Sequence, residues 1–402
     1  MVKAVRSAAV ALAAVAACWA AVGIGMANLR RNAAPERALA YWPLDARAKG
    51  NMAERLFRTA GTNAAGLAEA ESWARSALDR DPTVVDAWRV LGIAAAQRGD
   101  RERGAALVRT AERLSRRDVE AQLWLVEESL NSGDLDEMLR HVDQAMRVSP
   151  GSWGRLTPLL IFASVDRGFA TRLANLLKLG PPWARDFSYQ LTQSQLTGAN
   201  VPLLVAPLAN RPDERAIMIP LVERLAKAGD FVNAWRVYRL LKPSAPAAPP
   251  PVNDGGFSEN TMIAPFDWTA SQSGPVAGER QVRPGANDDV AMVMSAEAGT
   301  GGVAASQLLL LEGGRYTLTF EAGTIAGIGG GRIAWRIACA GGPGTVLTEG
   351  RLLPAQPSGS RQMVDFTVPG GCPAQALAFA LRAIDQIAPA ESWIDNVAIT
   401  KQ

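Results

Sequence analysis

Apolar and polar positions change their rhythm twice along this chain. From Ser7 to Leu29 no charged residue occurs. As a helix those 23 residues reach about 34 Å, enough for a hydrocarbon core of roughly 30 Å. From about residue 36 to 243 the apolar residues recur at helical spacing. Pro243-Ser-Ala-Pro-Ala-Ala-Pro-Pro-Pro251 then carries five prolines in nine residues, which predicts an extended linker. Beyond it the period becomes 2: Tyr316, Leu318 and Phe320 alternate with Arg315, Thr317 and Thr319, and Ile333, Trp335, Ile337 and Cys339 with Arg332, Ala334, Arg336 and Ala338. Turn signals such as Glu312-Gly313-Gly314 separate eight or nine short strands, the pattern of a β-sandwich. The domains expected are a membrane anchor at 1–30, a helical domain at 36–243, the linker at 244–252 and a sandwich at 253–402.

Within the helical stretch Gly99-Asp100 and Gly133-Asp134 lie 34 residues apart, and Pro82 and Pro150 lie twice that. Glycine suits the positive φ of an inter-helix turn, and proline ends a helix. Together with Trp88-x-x-Leu91-Gly92, Gly104 and Ala111, this spacing resembles the tetratricopeptide repeat, over about residues 51–152 and again at 215–243. The resemblance implies an all-α solenoid whose groove, lined by the first helix of each repeat, takes a protein partner. In this register the groove residues are Asp86, Arg89, Ile93, Ala96 and Gln97, then Glu120, Leu123, Glu127, Leu130 and Asn131. The chain departs from the family at Arg116, where proline is expected, and at Gln122, Leu125 and Val126, where Trp, Leu and Gly are expected.

At the two ends of the strand region stand Asp254-Gly255-Gly256-Phe257 with Pro265-Phe266-Asp267-Trp268, and Trp393-Ile394-Asp395-Asn396-Val397. These segments resemble the jelly-roll carbohydrate-binding modules of the galactose-binding-like superfamily. The resemblance implies that the first and last strands pair. It also implies a structural calcium held by acids near both, although Ser258 stands where an acid is expected, with Glu259 beside it. No other cofactor and no other metal is expected. A sugar-binding face needs flat rings or hydrogen-bonding side chains in the open. Trp335 and Trp393 read as core, so Trp268, Arg332 and Arg336 are the candidate glycan contacts.

Composition narrows the chemistry. Apolar residues make up 48% of the 402, and net charge is +3. From Val252 onward there are 9 Lys/Arg and 14 Asp/Glu, so the rest carries the positive excess. No basic run with interleaved aromatics occurs, which argues against nucleic acid. The single histidine, His141, sits in the second helix of a repeat, where a solvent-facing position is expected. Nucleophilic catalysis usually needs a base beside the nucleophile, so the sequence reads as a non-enzyme. Gly327-Ile328-Gly329-Gly330-Gly331 lacks the Lys-Ser/Thr of a phosphate cradle, and Asp288-Asp289 reads as a turn rather than a catalytic pair. Cys339 and Cys372 are the two cysteines outside the apolar N-terminal run; a bridge between them would close a loop of about 33 residues and stabilise by about 3–4 kcal/mol.

The N-terminal run is read as a signal anchor. A cleaved signal peptide ending near Gly25-Met26-Ala27 and a lipoprotein signal at Val15-Ala16-Ala17-Cys18 are the alternatives, although Trp19-Ala20-Ala21-Val22 continues the apolar run. Basic residues flank both ends, so charge does not assign orientation; the cysteine pair places the body outside the cytoplasm, in the periplasm of a bacterial inner-membrane, single-pass protein. The reading is a membrane-anchored envelope scaffold that binds a protein partner through its repeats and a glycan through its sandwich, in exopolysaccharide assembly or export. The alternative is a purely structural scaffold without sugar binding.

Overall fold

A computed structural model describes residues 2–402 except 62, 261, 273, 284–288, 326–330, 342–343 and 355. The Gly-rich run through Gly330 and the carboxylate of Asp288 therefore lie outside the described residues. Two compact units divide the chain, Met1–Leu156 and Thr157–Gln402.

The first unit is helical: α1 (Val2–Arg30), α2 (Pro35–Tyr41), α3 (Ala46–Ala60), α4 (Ala64–Leu78), α5 (Val85–Gln97), α6 (Arg101–Leu114), α7 (Val119–Ser132) and α8 (Leu135–Val148). Residues Val10–Arg30 of α1, with a mean hydropathy of 2.1 over their most apolar 18-residue stretch, are long and apolar enough to cross a bilayer. The last turns of the same helix pack on α2. Gly23 backs onto the Tyr41 carbonyl, Trp19 and Trp42 sit 5.5 Å apart, and Ala27 is buried with Ala38 and Ala48.

The repeated Gly-Asp pairs each do two jobs. Gly133 caps α7 in the left-handed region at φ 76°, and the Asp134 carboxylate accepts from the Glu137 amide to start α8. Gly99 at φ 96° and Asp100 do the same between α5 and α6. Gly92 and Gly104 let α5 and α6 approach so closely that a Cβ on either would meet the other's backbone oxygen within 3 Å. The Trp88 indole donates to the Pro82 carbonyl at 2.8 Å, tying the motif tryptophan to the proline that precedes its helix.

The second unit opens with α9 (Trp153–Ala163), which straddles the boundary, then α10 (Arg167–Lys178), α11 (Ala184–Gln193), α12 (Asn200–Val205), α13 (Pro212–Lys227) and α14 (Phe231–Leu241). The strands are β1 (Thr269–Ala270), β2 (Val276–Val282), β3 (Val290–Ala296), β4 (Gly301–Leu309), β5 (Gly314–Thr324), β6 (Gly331–Cys339), β7 (Val346–Leu352), β8 (Ser360–Val368), β9 (Gln375–Ala383) and β10 (Ala390–Lys401). They form two five-stranded antiparallel sheets: sheet A in the order β1-β4-β9-β6-β7, and sheet B in the order β2-β3-β10-β5-β8. Their facing sides enclose one core around Phe257, Trp268, Phe320 and Phe379. The first strand pairs with β4 and the last with β3 and β5, so the expected first-to-last ladder does not form. A single backbone bond stands in its place, from the Val397 amide to the Gly255 carbonyl, and a Cβ at Gly255 would collide with the Val397 oxygen. Cys339 and Cys372 form a disulfide with a Cα–Cα distance of 5.5 Å.

Helix α14 and the sandwich belong to the same compact unit, because the chain across the proline-rich segment is stitched to both. Trp235 and Tyr238 stack at 4.9 Å, and both meet Phe266 edge-on. Phe231 reaches Gly341 in the β6–β7 turn. Lys242, 4% exposed, donates to both oxygens of Asp267, at 2.9 and 3.0 Å, and to Glu259. The Tyr238 hydroxyl donates to Asp267 at 2.7 Å. The Asn253 amide bonds to the same Asp267 oxygen and to the Tyr238 hydroxyl.

One buried acid on β10 makes stability depend on pH. Burial raises the Asp395 carboxyl to about 6; the Asn396 amide opposes the rise, and Asp289 and Glu321 add to it. In an unfolded chain an aspartate titrates near about 3.9. The fold therefore holds this proton more tightly, and the contribution is largest at acid pH and fades as pH rises through 6. Replacing Asp395→Asn is expected to raise the melting temperature at pH 7.5 and to leave it nearly unchanged at pH 4. Equal shifts at the two pH values would contradict this account.

Candidate functional site

The expected groove of the first unit is only partly open. Gln97, Glu120, Glu127 and Asn131 are exposed and Leu123 is half-buried. Ile93 packs against the apolar cluster of Val108, Ala111 and Leu125. Asp86 and Arg89 line a cavity of about 340 Å³ with Glu54, Arg55 and Arg58. Arg89 is not available to a partner: it is 4% exposed, and three carboxylates take its guanidinium, Glu54 at 2.6 Å, Asp86 at 2.8 Å and Asp118 at 2.9 Å. Burial opposes its charge, but Asp118 and Glu54 outweigh burial and hold the proton more firmly than usual. Asp86 moves the other way, its carboxyl raised by burial despite Arg89.

His141 is also inside rather than on the solvent face. It is 1% exposed, with Nδ1 at 2.6 Å from Gln122 Oε1 and Nε2 at 3.2 Å from Glu137. Burial, with Arg140 beside it, lowers its pKa. Gln122, at a position where the repeat resemblance expects tryptophan, meets its Nδ1, and Arg140 and Glu137 meet its Nε2.

On the sandwich, Trp268 is 2% exposed and belongs to the core. Its ring lies 5.1 Å from Phe257 and 6.0 Å from Phe379, and its indole donates to the Asp254 carbonyl. It cannot stack on a sugar. Trp393 is likewise buried, under the Arg283 guanidinium at 4.7 Å. Trp335 is half-buried, its ring laid over Gly350 and 5.4 Å from Phe320. The acids near the ends of the module have protein partners: the Asp254 carboxylate accepts from the Ser258 and Glu259 amides, and Glu259 pairs with Lys242. Among the described residues no group of three or more His, Cys, Asp or Glu converges as a metal site.

Arg332 and Arg336 fare differently. Both are exposed on the outer side of sheet A, where a cleft of about 530 Å³ runs across β4, β9, β6 and β7. The ladder fixes the rows. Arg332 stands opposite Arg382; Ala334 lies between Ala380 and Arg351; Arg336 lies between Ala378 and Glu349. Sequence reasoning missed Arg351 and Arg382, although the alternation that buries Leu377, Phe379 and Leu381 already puts Arg382 on the outer side. The floor is largely alanine, and the half-buried Trp335 is the one aromatic residue among those that line the cleft in the described residues.

No family model and no curated protein matches the chain. Among solved structures, its C-terminal β region is similar to a module described under "CBM4 structure and function", at 18% identity over 34% of this chain and 94% of that one, with a TM-score of 0.26. It is similar to TmCBM61 in complex with β-1,4-galactotriose at 11% identity, covering 39% and 100% of the two chains with a TM-score of 0.28. The CBM22-1 xylan-binding domain from Paenibacillus barcinonensis gives 10% identity, 37% and 91% coverage and a TM-score of 0.28.

Proposed function

We propose that this chain is a membrane-anchored binding scaffold, without catalysis, that lays a polysaccharide across the outer face of sheet A. The observation that carries this reading is the open cleft over β4, β9, β6 and β7, where a row of small side chains is flanked by long polar ones. A glycan is the ligand because the end segments of the module resemble carbohydrate-binding modules.

In the same reading α1 stays attached as the anchor. Cutting near Ala27 would strip Trp42, Ala38 and Ala48 of the helix that covers them. Helices α3 to α8 are tetratricopeptide-like, on the strength of the 34-residue Gly-Asp spacing and the Gly92–Gly104 contact, and dock a protein partner through Gln97, Glu120, Glu127 and Asn131. The disulfide supports a body outside the cytoplasm, where an exported polysaccharide is handled.

The test is retention of detergent-solubilised full-length protein on an array of neutral and acidic polysaccharides. We expect retention on at least one class. No retention on any sugar favours the alternative, a structural scaffold with no glycan ligand.

A further inference from the structure

We infer that the ligand of this face is an acidic polysaccharide, one whose repeating units carry carboxylates, held by arginine rather than by stacked aromatic rings. The inference rests on the glycan reading above and names its chemical class.

Four of the nine basic residues after Val252 stand on this one surface: Arg332 and Arg336 on β6, Arg351 on β7 and Arg382 on β9. The region as a whole is acidic, with fourteen carboxylates, so chance does not favour such a gathering. All four are exposed, and among the described residues none has an ion pair or a side-chain hydrogen bond. Glu349, the one acid on the face, lies opposite Arg336 and forms no ion pair with it. Arg332 and Arg382 face each other directly across the ladder. Like charges in that position oppose sheet formation by a few tenths to about 1 kcal/mol. The fold accepts this cost, and an anion placed between them would reverse it.

Geometry favours an extended polymer over a compact anion. Arg332 and Arg336 are four residues apart on one strand, about 13 Å at 3.3 Å per residue. Arg351 falls between them along the strand and one ladder step to the side. Guanidinium groups spread in this way meet carboxylates that recur along a chain, each by a planar two-point contact. Ala334, Ala378 and Ala380 leave a low floor on which sugar rings can lie flat. Single-stranded nucleic acid would need a run of aromatic platforms for its bases, and among the described residues lining the cleft Trp335 is the single ring, half-buried and packed on Phe320.

The experiment uses full-length protein in detergent with polygalacturonate and alginate as acidic probes and xylan and β-1,4-galactan as neutral ones. Binding to the acidic probes is expected to exceed binding to the neutral ones at least tenfold and to weaken as NaCl rises. The double variant Arg332→Gln/Arg382→Gln should lose at least tenfold on the acidic probes with a melting temperature no lower than that of the parent, since it relieves the repulsion across the ladder. Arg361→Gln, an exposed arginine on sheet B, should change nothing. Neutral probes bound as tightly as acidic ones, with no effect of salt or of the double variant, overturn the inference and leave the glycan reading standing. Equal binding to single-stranded DNA or to anionic lipid vesicles overturns it as an unselective charge effect. Binding to no polysaccharide removes both readings.

Discussion

Replacing Arg89 by alanine is expected to destabilise the first helical unit by about 3–5 kcal/mol, the cost of removing one partner from a buried ion cluster. The guanidinium meets Glu54, Asp86 and Asp118 at distances of 2.6 to 2.9 Å; Arg58 also pairs with Glu54, but loss of Arg89 removes the cation that joins all three carboxylates and leaves the buried Asp118 without one among the described residues. These acids come from α3, from α5 itself and from the cap of α7, so the arginine joins three helices. Arg89→Lys should recover only part of the loss, since one ammonium cannot reproduce three separate N–H contacts. Denaturant unfolding followed by tryptophan fluorescence of the full chain measures it. A loss below about 1 kcal/mol would show that the cluster contributes little. Such a variant would also weaken partner binding through the fold, so a binding defect at Arg89 alone does not locate a contact.

The second large effect is expected at Lys242. Lys242→Ala leaves Asp267, 2% exposed, with neutral partners alone, Tyr238, Asn253 and the Ile263 amide, and should cost about 3–5 kcal/mol in the Thr157–Gln402 unit. Burial lowers the tendency of this ammonium to stay charged, but Glu259 and Asp267 more than offset that and its pKa sits above the ordinary value. Pairing Lys242→Met with Asp267→Asn separates the interaction from the packing. The double variant is expected to be more stable than the lysine variant alone, because no lone charge remains buried. Strict additivity of the two losses would show that the pair is not coupled. Limited proteolysis gives a second readout: cleavage within residues 243–251 should accelerate in Lys242→Ala.

Much of the architecture could be read from periodicity. The Gly-Asp spacing predicts the turns because each residue has a local task there, glycine the left-handed cap and aspartate the next helix start. The period-2 alternation predicts β5, β6 and β9 because one side of each is buried. Burial that depends on distant partners was not legible. Arg89 reads as a groove residue and Lys242 carries no signal, since two of the acids that hold Arg89 lie 29 and 35 residues away and those that hold Lys242 lie 17 and 25 away. His141 reads as exposed until Gln122 is seen to face it. Trp268 sits at the start of the module, where nothing in the local pattern reveals that Phe257 and Phe379 close over it. At the candidate site the sequence supplies Arg332 and Arg336 through simple alternation, whereas the row they form with Arg351 and Arg382 depends on the register of β6 with β7 and with β9, which is not its neighbour in the chain.

A stack of helices must finish somewhere, and its last member leaves one flank without a neighbour; repeat proteins usually solve this with a polar terminal helix. Here α14 does the reverse. It carries Phe231, Trp235 and Tyr238, all at most 7% exposed, on the flank that the sandwich covers. The β-module thus serves as the cover of α14 within the Thr157–Gln402 unit, whatever else it binds. A fragment stopped at Leu241 would bare three aromatic rings to water and is expected to aggregate. One begun at Val252 would bare Phe266 and the unpaired Asp267, so neither half can be studied as the free form of itself.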